Sequence, residues 1–90
     1  MLFVVLGTGR PGTLKERLER RMKWSAPEGR KPIAEYWLLT PDPDVIMIME
    51  ADDLSGITAF IAAWDDVFSF RVAPAVTAEQ GLEMAKKMTA

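Results

Sequence analysis

Two stretches of this chain are apolar at every position: residues 2–6 (Leu2, Phe3, Val4, Val5, Leu6) and residues 45–49 (Val45, Ile46, Met47, Ile48, Met49). Successive side chains of a strand point to opposite faces, so a strand with one wet face alternates apolar and polar residues. Neither run alternates, and each predicts a strand that needs cover on both faces, at residues 2–6 and 45–51. Two further strands are predicted at residues 33–39 and 67–73, the latter stopped by Pro74. In the first, Ile33, Glu35, Trp37 and Leu39 share a face and Ala34, Tyr36 and Leu38 share the other. In the second, Phe68, Phe70 and Val72 oppose Ser69, Arg71 and Ala73.

Between the strands the period changes to that of a helix. Leu14, Leu18 and Met22 recur every fourth residue and predict a narrow apolar stripe on a charged first helix, which ends near Trp24 and Ser25 before Pro27 and Gly29. Thr13 followed by Glu16 predicts a capping box at its start. Asp52 or Asp53 is expected to cap a second helix whose stripe is Leu54, Ile57, Ile61 and Trp64, widened by Phe60. Thr77 with Gln80 predicts another capping box and opens a terminal helix with Leu82, Ala85 and Met88 on one side. The link at residues 40–44, with two prolines, is too short for a parallel crossover and joins antiparallel neighbours.

The resulting order, βαββαβ plus a terminal helix, is the split-βαβ, ferredoxin-like pattern. It predicts an α+β fold with one four-stranded antiparallel sheet in the order 4-1-3-2. The strands apolar throughout fall in the centre, and those carrying Glu35 and Arg71 fall at the edges. Residues 1–76 form the domain, and residues 77–90 form a helix that packs on it or on a partner subunit. Both crossover helices lie on one face of such a sheet. The other face is apolar and open, and a patch of that kind seldom stays wet on a soluble monomer. The expectation is a homodimer with the two sheets facing one another, a dimeric α/β barrel.

Ninety residues make one domain, which buries about 60–65% of the surface of its unfolded chain. At 49% hydrophobic and 27% charged, the composition is that of a globular protein. The chain has no cysteine and no histidine, so thiolate metal sites are excluded, and so is the usual base near neutral pH. No cofactor is expected, and the missing histidine disfavours haem chemistry. No apolar run is long enough to span a bilayer, and residues 1–6 lack the basic start of a signal peptide, so a cytoplasmic protein without membrane partners is expected. The net charge of −2 conceals an asymmetry. Residues 10–31 carry eight basic and three acidic side chains, whereas residues 32–70 carry eight acidic and no basic ones. A basic helix suits an anion, or an acidic neighbour within the chain. No aromatic residues interleave the basic run, so no nucleic-acid partner is expected.

Several short motifs, in order, resemble a family of short prokaryotic proteins of unknown function. They are Met1-Leu2-Phe3, Pro11-Gly12 before the first helix, Trp37 in the second strand, Met49-Glu50-Ala51-Asp52-Asp53, and the stretch from Trp64-Asp65-Asp66 to Val76. The resemblance covers nearly the whole chain and implies the dimeric α/β-barrel group, with no activity attached. The chain departs from the family pattern at Arg71, where an acidic residue is usual, and in its glycine-rich loop at residues 7–12.

That loop, Gly7-Thr8-Gly9-Arg10-Pro11-Gly12, matches G-x-G-x-x-G between a strand and a helix. Ninety residues cannot supply a doubly wound sheet, and Pro11 removes an amide, so a small anion at Gly9, Arg10 and the helix start is the most it suggests. Asp42, Asp44, Asp52 and Asp53 fall in two turns without calcium-loop spacing. Glu35 and Glu50 are strand carboxylates among apolar neighbours; buried, they would suit general acid–base work, and exposed or paired, they are structural. Tyr36 and Trp37 point to opposite faces, so one of them faces the inter-sheet space and can stack on a planar ligand or pack the interface. Six methionines suit adaptable packing there. Two functions are expected to compete. One is a homodimer that binds a small apolar or aromatic molecule between facing sheets. The other is a cofactor-independent oxygenase or isomerase using Glu35 or Glu50 as base and Arg71 to steady an oxyanion.

Overall fold

A computed structural model of the chain describes residues 1–25 and 30–90; Pro27 and Gly29, expected to end the first helix, lie outside the described residues. The elements are β1 (Leu2–Gly9), α1 (Leu14–Lys23), β2 (Arg30–Trp37), β3 (Val45–Ala51), α2 (Leu54–Trp64), β4 (Phe68–Ala75) and α3 (Ala78–Thr89). The four strands form one antiparallel sheet in the order β2-β3-β1-β4. This is the expected α+β, ferredoxin-like order, with the two strands that carry the uninterrupted apolar runs in the centre.

Strand pairing shows which side each residue faces, because residues directly opposite one another share a face. Phe3 and Val5 of β1 and Met47, Met49 and Ala51 of β3 point to one side. There they form the core with Ile57, Phe60 and Trp64 of α2 and with Val67. Leu2, Val4, Leu6, Ile46 and Ile48 point to the other side and are half-buried. The central strands are thus covered by helix on one face only. The shortest Cα extent of the molecule, 17 Å, holds one sheet and one helix layer, which pack roughly 10 Å apart.

The helix starts are built in three ways. At α3, Thr77 and Gln80 complete the expected reciprocal capping box. At α2, the Asp53 carboxylate accepts from the Ser55 amide and hydroxyl. At α1, the expected box between Thr13 and Glu16 does not form. The Thr13 hydroxyl donates instead to the Arg10 carbonyl and accepts from Arg17 Nε, and Glu16 pairs with Arg20.

Three strands pass limits that their side chains suggest, and one of them, β4, continues through Pro74, the expected stop, to Ala75. β1 continues through Gly7, Thr8 and Gly9, which pair with Phe70, Ser69 and Phe68, so half of the expected loop is strand. A Cβ on Gly7 would approach Val45 Cγ1 to 2.7 Å, so the glycine allows the close packing at this point. β2 begins at Arg30 and tolerates Pro32 because it is an edge strand. A bulge between Pro32 and Ala34 removes Ile33 from the alternation, and Ile33 is exposed.

The third helix buries none of its residues: Leu82, Met84 and Met88 are all exposed. It follows Ala75, at the end of the sheet where β1 begins. No helix among the described residues is long and apolar enough to cross a membrane.

Core and arm make opposite predictions. Met49, with no exposed surface, should cost about 2–5 kcal/mol on replacement by alanine. Met88→Ala, at a position 82% exposed, should change stability by less than about 0.5 kcal/mol at dilute concentration. Urea unfolding of both variants checks this, and equal losses would show that α3 belongs to the folded core.

Candidate functional site

The first helix does not pack down on the sheet. Its inward positions are Leu14, Arg17, Leu18 and Arg21, spaced i, i+3, i+4 and i+7. Two of the four are arginines. Met22, expected on the inward stripe, is 78% exposed, and α1 buries no residue. Arginine heads cannot enter an apolar core unpaired, so each reaches a carboxylate on the sheet side.

Arg17 Nη1 lies 3.3 Å from Asp44 Oδ2, and its guanidinium stands 5.1 Å from the centre of the Phe68 ring. The Asp44 carboxylate also accepts from the Gly9 amide at 3.1 and 3.2 Å. Arg21 grips Glu35 with two bonds, Nη2 to Oε1 at 2.9 Å and Nε to Oε2 at 3.2 Å. Trp37 Nε1 donates to the same Oε2 at 2.6 Å. Burial pushes the Glu35 carboxyl up, but the hydrogen bonds from Arg21 and Trp37 outweigh it and hold the group below the ordinary carboxylate range. Arg21 is correspondingly raised by its hydrogen bond to Glu35.

A cavity of about 370 Å³ remains between α1 and the sheet. Trp24, Trp37, Phe60, Trp64, Phe68 and Phe70 supply aromatic walls, and Val5, Leu14, Leu18, Val45 and Met47 supply aliphatic ones. The aromatic rings form a tilted and edge-on chain: Trp24 lies 6.1 Å from Phe60 and 6.4 Å from Trp64, and Phe60 lies 5.5 Å from Phe70. Trp64 is almost completely buried, and its Nε1–H has no hydrogen-bond partner among the described residues. On the outer side of α1, Arg20 joins Asp66 and Glu16 and lies 5.3 Å over the Trp64 ring. Asp66 is held below its ordinary range chiefly by its hydrogen bond from Arg20.

The residues singled out from sequence divide between the two faces of the sheet. Glu35 lies opposite Met47 and Trp37 lies opposite Val45, on the helix side, and both line the cavity. Tyr36 lies opposite Ile46, on the open side, and is exposed. Glu50 and Arg71 are also on the open side, opposite Leu2 and Leu6 respectively. These two positions are about 14 Å apart along β1. Glu50 takes the Met1 amino group at 2.6 Å, and Arg71 lies 3.7 Å from Asp42. Glu35, Glu50 and Arg71 therefore do not converge. Gly9 and Arg10 are also engaged within the chain. The Gly9 amide meets Asp44, the Arg10 amide donates to the Val67 carbonyl, and Arg10 Nε donates to the Asp65 carbonyl. Among the described residues no cluster of His, Cys, Asp and Glu could hold a metal ion.

Sequence reasoning missed Arg17, Arg21, Asp44 and Trp24 as parts of one site. The signal was present, since Leu14, Arg17, Leu18, Arg21 and Trp24 keep helical spacing once arginines are admitted to the inward stripe.

A domain of unknown function, DUF3303, matches residues 1–89, and the chain belongs to that family. This agrees with the short family of unknown function that its motifs resemble. No curated protein and no solved structure matches the chain.

The Arg21–Glu35 pair should make stability depend on pH. A carboxyl held low in the folded state stabilises it above the unfolded value, roughly 4.3, and that contribution is lost as pH falls through the folded value. Glu35→Gln should cost about 1 kcal/mol at pH 7 and progressively less toward pH 3. Urea midpoints of wild type and variant at the two pH values measure the difference; a gap that does not narrow in acid would remove the charge from the account.

Proposed function

We propose that this chain is a small-molecule-binding protein that takes one neutral, planar apolar or aromatic molecule into the cavity beneath α1. The observation that carries this reading is the cavity itself: about 370 Å³, walled by six aromatic side chains and held open by two ion pairs. Ligand sites are commonly concave, mostly apolar spaces of about 300–1,000 Å³ with a few fixed polar groups. The four charged side chains at this site close on one another in two pairs. They present no net charge, which favours an uncharged guest. The ligand space expected from sequence lay between two facing sheets. This cavity lies on the opposite side of the sheet.

The binding reading is preferred to cofactor-independent oxygenase or isomerase chemistry because of what surrounds Glu35. It is the one carboxylate of the three expected catalytic groups that lines the cavity. Both of its oxygens are engaged by Arg21 and Trp37, and a base held below its ordinary pKa is a weak one at neutral pH.

The second part of the proposal is a homodimer. The open face carries Leu2, Val4, Leu6, Ile46, Ile48 and Tyr36, and α3 carries a separate exposed stripe. Pairing two open faces through a two-fold axis would cover the first and bring each α3 against a partner. Light scattering after size exclusion should give twice the chain mass, and Ile48→Lys should halve it. A monomer from micromolar to hundreds of micromolar concentration would end the dimer proposal.

The cavity is tested with N-phenyl-1-naphthylamine, a neutral dye that brightens in apolar surroundings. Binding on the order of 100 µM or tighter is expected. Leu18→Trp, which fills the space from α1, should weaken it at least about tenfold, worth roughly 1.4 kcal/mol. Binding that ignores this substitution would place the dye elsewhere and overturn the reading.

A further inference from the structure

We infer that the guest is a single-ended amphiphile: an aromatic or hydrocarbon body that enters the cavity, with a neutral hydroxyl, ether or amide at one end, held where the cavity opens between α1 and residues 37–40. The inference rests on the binding reading above and deepens it, because it gives the guest a chemical class and an orientation.

The lining side chains grade from buried to exposed in one direction. Val5, Met47, Phe60 and Trp64 are buried and form the floor. Leu14, Leu18, Trp37 and Thr40 line the same cavity and are exposed. Leu14 and Leu18 belong to α1, and Trp37 is the last residue of β2, so the mouth lies between that helix and the end of that strand. Trp37 pairs with Val45, which pairs with Gly7, so this is the end of the sheet where β1 finishes. β2 is an edge strand, and no further strand of the sheet closes this side.

Polarity grades the same way. The floor side chains offer a guest only carbon and sulfur, because their one polar atom, Trp64 Nε1, is itself enclosed by the protein. The charged and hydroxyl side chains of the lining, Arg17, Arg21, Glu35, Thr40 and Asp44, are all half-buried or exposed. A polar group driven to the floor would shed its water and gain no partner. At the mouth the same group keeps its water, beside Thr40 and the Arg17–Asp44 pair. A wholly apolar guest would instead hold one end against water and charge. The arginines are each paired with a carboxylate, so the mouth has no net charge to attract an ion. A guest that is apolar at one end and polar but neutral at the other matches the floor and the mouth together.

Three naphthyl ethers test the inference by displacement of N-phenyl-1-naphthylamine: the methyl ether, the ether of one tetraethylene glycol chain, and the diether with such a chain at each end of the ring system. The one-chain ether is expected to bind within about threefold of the methyl ether, because its chain leaves through the mouth. The two-chain ether is expected to bind at least about tenfold more weakly, because one chain must lie on the floor. A nitroxide at the tip of the single chain locates the mouth. The NMR signals of the Trp37 indole and the Leu14 methyls should broaden before those of Val5 and Met47. If the two-chain ether binds as well as the one-chain ether, or if Val5 and Met47 broaden first, the orientation is wrong and the cavity reading stands. If the methyl ether binds and neither glycol ether does, the cavity encloses its guest whole, which also overturns the inference. If none of the three displaces the dye, the cavity reading fails and this inference falls with it.

Discussion

The rest of this structure depends on two arginines that occupy the inward face of a helix. Arg17 and Arg21 stand where an ordinary amphipathic helix would place leucines. Their guanidinium groups are long and cannot be buried without partners, so α1 settles where they can reach Asp44 and Glu35. The pairs tie the helix to β2 and to the start of β3, and they also keep its backbone away from the sheet. The space between is too wide for Leu14 and Leu18 to fill. In α2 the inward residues are Ile57, Phe60 and Trp64, all buried in the core. One sheet thus carries a helix packed by apolar contact beside one held off by charge.

This arrangement explains why the charge asymmetry is internal. The basic first third and the acidic middle of the chain meet each other in the folded state: Arg17 with Asp44, Arg20 with Asp66, Arg21 with Glu35 and Arg10 with Asp65. Exposed members of this set add little to stability, since solvent screens them. The half-buried pairs matter more for position, because displacing α1 would leave Glu35, 17% exposed, without its counter-charge.

Much of the fold was legible because it follows from periodicity. The two uninterrupted apolar runs identified the central strands, and the Thr77–Gln80 pair announced α3 through a local bond that needs no tertiary context. The strand order followed from the βαββαβ succession of elements, and the short link at residues 40–44 made the second and third strands antiparallel neighbours. What failed to read out were competitions between local and distant partners. Thr13 and Glu16 had the spacing of a capping box, but Arg17 and Arg20 claimed their oxygens. Ile33 alternated correctly with Glu35 on paper, yet a bulge at Pro32 turned it outward. Glu35 and Trp37 were legible as candidates, a strand carboxylate among apolar neighbours and an aromatic ring able to stack on a planar ligand. Their side of the sheet depended on register with β3, and their role depended on an arginine fourteen residues earlier.

The glycine motif shows how a binding signature can arise from packing. Gly7 and Gly9 sit where a phosphate-binding loop would need them, yet both lie in β1. At Gly7 the missing Cβ admits Val45, Phe68 and Phe70. At Gly9 a Cβ would overlap the Arg17 guanidinium, so the glycine is what lets that arginine lie across the strand on its way to Asp44. The Gly9 amide does bind an anion, but that anion is the carboxylate of Asp44 in the same chain. The pattern that suggests a nucleotide from outside is satisfied by the contacts that suspend α1. Gly9, Arg17 and Asp44 therefore form one unit, which together with the Arg21–Glu35 pair ties α1 over the cavity.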